Sequence, residues 1–332
     1  MEDFISTAVN VTANRGNSLI NRKMIFRILG VLLFMEAIMF LVCAGVSLCY
    51  GEADYLYFIY TTLINVAVGS ILLLLGKGAE NRVTRRDGYC IVAFTWLLFT
   101  GFGMLPSYIS GSIPSVADAF FETMSGFTTT GATILDDIES LSHGMLFWRS
   151  FSQWIGGLGI VFFTIAVLPI FGVGNQVLFS AEATGVTHDK IHPKISIMAK
   201  WLWTVYLILT VVETVLLLLG GMDLFDAVCH AFSTTATGGY STKQDSVAYW
   251  ISPFIEYVIA IFMVLSGVNF SLYFMCMTGR VKHLFKDEEF RLYLISIGAV
   301  TLLITGALYW HNHYGLEEAF RKSLFQVASG HT

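Results

Sequence analysis

The chain has 332 residues, of which 55% are hydrophobic, 14% aromatic and 13% charged. Soluble domains carry about 25% charged residues, and too few are present here to clothe a core of this size. With a mean hydropathy of +0.68, this excludes an ordinary cytosolic enzyme, a nucleic-acid binder and a disulfide-built secreted domain. The net charge of −5 gains meaning only once the charges are placed along the chain.

Residues 1–24 read as a cytoplasmic N-terminus, with Arg15, Arg22, Lys23 and Arg27 at its junction with the apolar run Met24–Tyr50. That run is too long for a cleaved signal peptide and lacks a small-residue cleavage site, so it reads as a retained signal-anchor. A spanning helix needs about 20 mostly apolar residues. Seven segments qualify: 25–49, 56–76, 89–110, 148–171, 196–220, 250–277 and 290–311. The cysteines Cys43, Cys49, Cys90, Cys229 and Cys276 form no CxxC pair and mostly lie in or beside these runs, where Cys behaves as a small hydrophobe.

Placing the N-terminus inside puts Lys77, Arg82, Arg85 and Arg86 on the same side. Lys190, Lys194, Lys200, Arg280, Lys282, Lys286 and Arg291 follow them. With the N-terminal four these make 15 of the 19 Lys and Arg, as the positive-inside rule expects. The outer face carries Glu52, Asp54, Asp118, Asp136, Asp137, Glu139, Asp223 and Asp245.

Two outer connections repeat a pattern. Residues 115–128 read SVADAFFETMSGFT and run into TTGATIL; residues 222–236 read MDLFDAVCHAFSTTA and run into TGGYST. Each has a short amphipathic stretch, too short to span, followed by a Thr/Gly tract, and each lies between two spans. Anchoring Gly131 on Gly238 gives a period of 107 residues, the mark of a repeated supersecondary unit. A third copy begins at EEAFRKSLFQVASGHT, where Ser329 takes the place of Ser125, and the chain stops at Thr332 within it. The sequence therefore reads as truncated in a third unit.

Non-helical backbone at membrane depth is tolerated only where it is buried in protein or lines a water-filled cavity. There a Thr/Gly tract presents rows of carbonyl oxygens that can replace the hydration shell of a monovalent cation. The C-terminal end of each short helix adds partial negative charge.

FFETMSGFTTTGATIL (120–135), HAFSTTATGGYST (230–242), FWRSFSQWIGGLGI (147–160) and FQVAS (325–329) together resemble the TrkH/KtrB superfamily of potassium transporters. The resemblance implies an all-α polytopic membrane protein of tandem M1–pore helix–M2 repeats behind an N-terminal helix pair. On this pattern 25–88 is the helix pair, 89–172 the first repeat and 173–195 a cytoplasmic linker. The second repeat is 196–280, and 281–332 a partial third. The resemblance also implies a first filter strand of Thr128, Thr129, Thr130 and Gly131, and a second of Thr235, Ala236, Thr237 and Gly238, with Thr332 opening the third. K⁺ would be the substrate ion, with no cofactor. The implied partners are a second copy of the subunit and a cytosolic nucleotide-binding regulatory subunit of the TrkA/KtrA kind, in a bacterial inner membrane. Anionic lipid would equally suit the basic inner loops 77–86 and 280–291.

Several residues carry two readings. Glu36, Glu213 and Glu256 suit either a proton relay or hydrogen bonds to a neighbouring helix. Arg149 either pairs with Asp136, Asp137 or Glu139 and braces the filter, or snorkels to the interface. His230 suits packing better than ligation, and His311 with His313 lacks a third metal ligand. Gly156, Gly157 and Gly159 suit close helix packing rather than phosphate binding, because no strand precedes them. Tyr50, Tyr55, Trp148, Trp201, Trp250 and Trp310 read as interfacial belts.

The function read from these features is potassium uptake through a backbone-carbonyl filter, with no enzymatic step. The alternatives are an ion-coupled K⁺/H⁺ or K⁺/Na⁺ symporter using the same pore, or an inactive truncated product. An intramembrane Ser/His protease would have to use Ser233 and His230, which lie in a re-entrant segment without a further catalytic partner.

Overall fold

The computed structural model describes residues 20–80, 85–159, 195–269, 272–273 and 286–331, and among them all regular structure is helical. Helix α1 (Arg22–Cys49) starts where the Asn21 side chain accepts the Met24 N–H at 3.2 Å, satisfying one of the donors that a helix start leaves free. It pairs with α2 (Tyr55–Leu75), and the two backbones approach at small residues. A Cβ on Gly30 would stand 2.9 Å from the Gly69 carbonyl oxygen, the close contact by which helices associate where apolar burial gives no driving force.

Helix α3 (Arg85–Gly103) breaks at Met104 and resumes as α4 (Leu105–Ile109), with Pro106 in its first turn. Helix α5 (Val116–Phe127) follows, capped by the Ser115 hydroxyl at the Asp118 N–H, 3.3 Å. Its 12 residues rise about 18 Å at 1.5 Å each, little more than half a hydrocarbon core. Helix α6 (His143–Gly157) is capped by Ser142. The second unit repeats the plan as α7 (Ile195–Leu219), the half-length α8 (Leu224–Thr235) and α9 (Pro253–Ser266). Helix α10 (Glu288–Asn312), capped by Asp287, and α11 (Leu316–His331) follow.

Five described helices are long and apolar enough to cross a membrane: Arg22–Cys49, Tyr55–Leu75, Arg86–Ile109, Trp201–Leu219 and Glu288–His311. The expected spans 148–171 and 250–277 begin as α6 and α9 and continue into residues outside the described set. Cys276 and the basic residues Arg82, Lys190, Lys194, Arg280 and Lys282 also lie outside the described residues.

The helix pair is tied to the first unit from the turn between its helices. Glu52 accepts the backbone N–H of His143 at 2.9 Å and meets its ring Nδ1 at 2.7 Å, while Asp54 accepts the Ser142 hydroxyl. Glu52 is thus a capping acceptor at the start of α6, and Asp54 holds its capping serine; neither is a free charge. Trp148 corrects the belt reading: it is 2% exposed, packs on Phe40 and Phe127, and donates its indole N–H to the Gly103 carbonyl at 2.9 Å. Trp148 is enclosed by side chains of α1 and α5, so its indole finds its partner in protein. Trp310, at 79% exposed, keeps a surface position.

Candidate functional site

Helices α5 and α8 end in the same way. In the first, the N–H groups of Thr129 and Thr130 donate to the carbonyls of Gly126 and Ser125 at 3.0 and 2.9 Å; in the second, those of Thr237 and Gly238 donate to Thr234 and Ser233 at 2.9 Å each. These are Schellman closures, which need a left-handed residue just past the helix. Glycine usually fills that place, yet here it is held by Thr129 at φ 54° and Thr237 at φ 56°. A β-branched residue there is an outlier. Two residues on, the chain turns left-handed again at Gly131 (φ 74°) and Gly239 (φ 90°).

This geometry corrects the repeat register. Helix ends, closures and left-handed residues all recur at 108 residues, pairing Gly131 with Gly239 and not with Gly238. Thr128–Gly131 therefore corresponds to Ala236–Gly239. The adjacent glycines 238 and 239 are indistinguishable by letter; only the backbone conformation separates them.

The two tracts meet around one cavity of about 370 Å³, lined by Thr129, Thr130 and Gly131 from the first and by Thr237, Gly238 and Gly239 from the second. Phe325 and Ser329 of α11 complete part of its wall. The remaining expected residues lie elsewhere. Thr128 folds its hydroxyl back onto the Met124 carbonyl at 2.7 Å and to the Thr130 hydroxyl at 2.8 Å. Thr235 is the last residue of α8 and donates to Glu213 at 3.3 Å. Ala236 is buried against Gly157, and Thr332 lies outside the described residues.

Helix α6 supports both tracts from behind. A Cβ at Gly156 would collide with the Phe127 carbonyl oxygen, and one at Gly157 would come within 2.7 Å of Ala236. The glycine cluster thus serves close approach, as its position in a span suggested. Gln153 packs on Gly238 and accepts the Tyr240 N–H at 3.2 Å.

Arg149 is buried, 6% exposed, and pairs with none of the acids proposed for it. Its partner is Glu122 of α5, 4% exposed, at 2.9 Å. The Glu122 carboxylate also accepts from the Thr133 hydroxyl at 2.9 Å and the Ile134 N–H at 3.0 Å. The guanidinium lies 4.2 Å from the Tyr240 ring centroid, and Tyr240 donates its hydroxyl to the Glu122 carbonyl oxygen at 2.8 Å. Burial pushes the Tyr240 phenol well above its ordinary range, so it stays protonated and donates. Glu122 and Tyr240 escaped the sequence reading. The available signal was an acid on the buried stripe of an amphipathic helix with one arginine embedded in the next apolar segment.

The other candidates are engaged by neighbouring groups, although His230 and Ser233 also line the cavity. Glu36 accepts from Asn65 at 2.9 Å, and Glu256 pairs with Arg321 of α11 at 2.6 Å. With Glu213 on Thr235, each of the three glutamates engages a neighbouring helix. His230 places Nδ1 2.8 Å from the Asp226 carbonyl and Nε2 3.0 Å from the Ser241 hydroxyl. Among the described residues no group of His, Cys, Asp and Glu is arranged to hold a metal ion.

Spanning helices enclosing half-length helices that unwind toward a shared cavity, behind an N-terminal helix pair, define a polytopic all-helical membrane protein of tandem M1–pore helix–M2 units. More specifically, the chain belongs to the TrkH family of cation transport proteins, whose sequence pattern matches residues 57–311. It is 38% identical over 311 residues to the Trk system potassium uptake protein TrkH of Escherichia coli K12, covering 92% of this chain and 64% of that protein. It is 33% identical over 312 residues to TrkG of the same strain, with the same shares covered. The crystal structure of the potassium transporter TrkH from Vibrio parahaemolyticus matches with a TM-score of 0.80 at 34% identity, over 92% of this chain and 64% of that one. The chain thus spans 64% of the length of these relatives.

Proposed function

We propose that this chain carries the first part of a potassium-uptake pore, in which K⁺ sheds water onto backbone carbonyls of Thr129–Gly131 and Thr237–Gly239. The observation carrying this reading is the paired strain at Thr129 and Thr237. A β-branched residue held at positive φ costs on the order of 1–3 kcal/mol, and the same strain stands at the same place in both repeats. A turn that only needed closing would be met by glycine. The strain is retained where backbone carbonyls turn toward the cavity, as a cation site built of carbonyl oxygens would use it.

The relatives named as Trk system potassium uptake proteins support the ion and the direction. A potential near 100 mV, inside negative, supplies about 2.3 kcal/mol per charge, enough for roughly 50-fold accumulation. Conduction down the electrical gradient therefore suffices. It is favoured over proton symport because none of Glu36, Glu213 and Glu256 lines the cavity and each is engaged by another helix. The chain lies in a bacterial inner membrane with its N-terminus in the cytoplasm, divided into the helix pair 25–88, the repeats 89–172 and 196–280, and part of a third. Its partners are a second copy and a cytosolic nucleotide-binding subunit.

The test is rubidium uptake by K⁺-uptake-deficient cells carrying the whole gene, with Gly131→Ser and Gly239→Ser variants. Each variant is expected to lose preference for Rb⁺ and K⁺ over Na⁺. Wild-type selectivity in both would remove the reading.

A further inference from the structure

We propose that the buried Glu122–Arg149 pair positions the two tracts against each other and thereby sets ion discrimination, a role that rests on the pore reading given above. Neither residue lines the cavity, so neither touches a passing ion. Both act through the backbone beside it.

The connections close a ring across two repeats. Glu122, on α5, grips the first tract just past its left-handed glycine through Thr133 and Ile134 at 2.9 and 3.0 Å. Arg149, on α6, donates through Nε to the same carboxylate at 3.0 Å, through Nη2 to the Thr133 hydroxyl at 3.3 Å, and through Nη1 to the Ser241 carbonyl at 3.4 Å. Tyr240 completes the ring: its face receives the guanidinium, and its hydroxyl reaches the carbonyls of Glu122 and Ala132 at 2.8 and 3.3 Å. Ala132 and Tyr240 directly follow Gly131 and Gly239, the two left-handed glycines of the cavity wall. The bracing therefore acts at Tyr240, itself part of the cavity wall, and at Ala132, the residue after Gly131.

A buried ion pair is a poor source of stability, because desolvation offsets most of its attraction and apolar replacements often do as well. What it provides is geometry. The guanidinium is a rigid fork that holds several acceptors at fixed angles, and here the acceptors belong to α5, to the chain after Gly131 and to the chain after Gly239. Lysine would keep the charge and lose that fork. A second ion pair, between Glu256 on α9 and Arg321 on α11 at 2.6 Å, runs between successive units rather than within one.

The experiment uses the whole gene in K⁺-uptake-deficient cells and measures rubidium uptake with its inhibition by Na⁺, for Glu122→Gln, Arg149→Lys and Tyr240→Phe. Membrane abundance and detergent monodispersity are measured alongside. Variants that assemble are expected to lose about tenfold in Rb⁺/Na⁺ preference, the equivalent of 1.4 kcal/mol, with a smaller change in maximal uptake. Tyr240→Phe removes only a hydroxyl and keeps the test open if the charge variants fail to assemble. Assembled variants with wild-type preference overturn the proposal. Gly131→Ser run in parallel separates the two readings: if it alone loses selectivity, the brace fails and the pore stands, and if it too keeps selectivity, the pore reading itself fails.

Discussion

The hydroxyl of Tyr240 donates to the backbone carbonyl of Glu122 at 2.8 Å across 118 residues of sequence. One residue ends the second tract and the other lies inside the first re-entrant helix, so this bond fastens one repeat to the next. Removing it in Tyr240→Phe leaves the buried carbonyl of Glu122 and the more exposed one of Ala132 without this donor. A lost hydrogen bond of this kind is worth about 0.5–1.5 kcal/mol. The apparent melting temperature of the detergent-solubilised protein is expected to fall by a few degrees, read by intrinsic fluorescence.

Thr129 and Thr237 carry strain that glycine would relieve. Thr129→Gly removes roughly 1–3 kcal/mol of steric cost, and the greater freedom of glycine in the unfolded chain takes back about 0.4–1 kcal/mol. Stability is therefore expected to hold or rise, while rubidium-over-sodium preference falls. A clear drop in melting temperature would contradict the strain argument.

Gly156 offers no room for a methyl group, because the Phe127 carbonyl occupies the place of its Cβ, whereas Gly45 in α1 has nothing within 4 Å. Gly156→Ala is expected to destabilise by about 1–3 kcal/mol through overpacking and to displace the end of α5. Gly45→Ala, on an open helix face, is expected to gain about 0.5–1 kcal/mol. Thermal unfolding of the two variants side by side checks the contrast.

Glu256 fastens α11 to α9 through Arg321, whose other carboxylate partner is the more exposed Glu317. A fully buried pair costs about 3–5 kcal/mol to break. With side chains 21% and 11% exposed, the loss on Glu256→Gln is expected at roughly half that. Hydrogen exchange in Leu316–His331 should accelerate, with that of α5 unchanged.

The sequence was sufficient wherever chemistry follows from length and alternation. Apolar runs of about 20 residues located α1, α2, α3, α7 and α10, because a hydrocarbon core fixes the length of a crossing helix. The half-length helices before Thr/Gly tracts were equally legible, since Ser115 and Asp223 mark their starts. The repeat period was off by one residue because a glycine pair at 238 and 239 gives two equal alignments. Backbone φ breaks that tie, and no letter encodes it.

What the sequence determined by itself was the membrane setting, the order of full and half-length helices, and the tracts rich in carbonyls and hydroxyls. These depend on local composition and spacing. Only the tertiary structure decided that Thr235 and Ala236 turn away from the cavity, that Trp148 is a core residue, and that Arg149 meets Glu122 and not Asp136, Asp137 or Glu139. Each of those outcomes depends on which surfaces from different repeats come together. A buried charge takes the partner that the packing brings within hydrogen-bonding distance, and sequence proximity does not supply that partner.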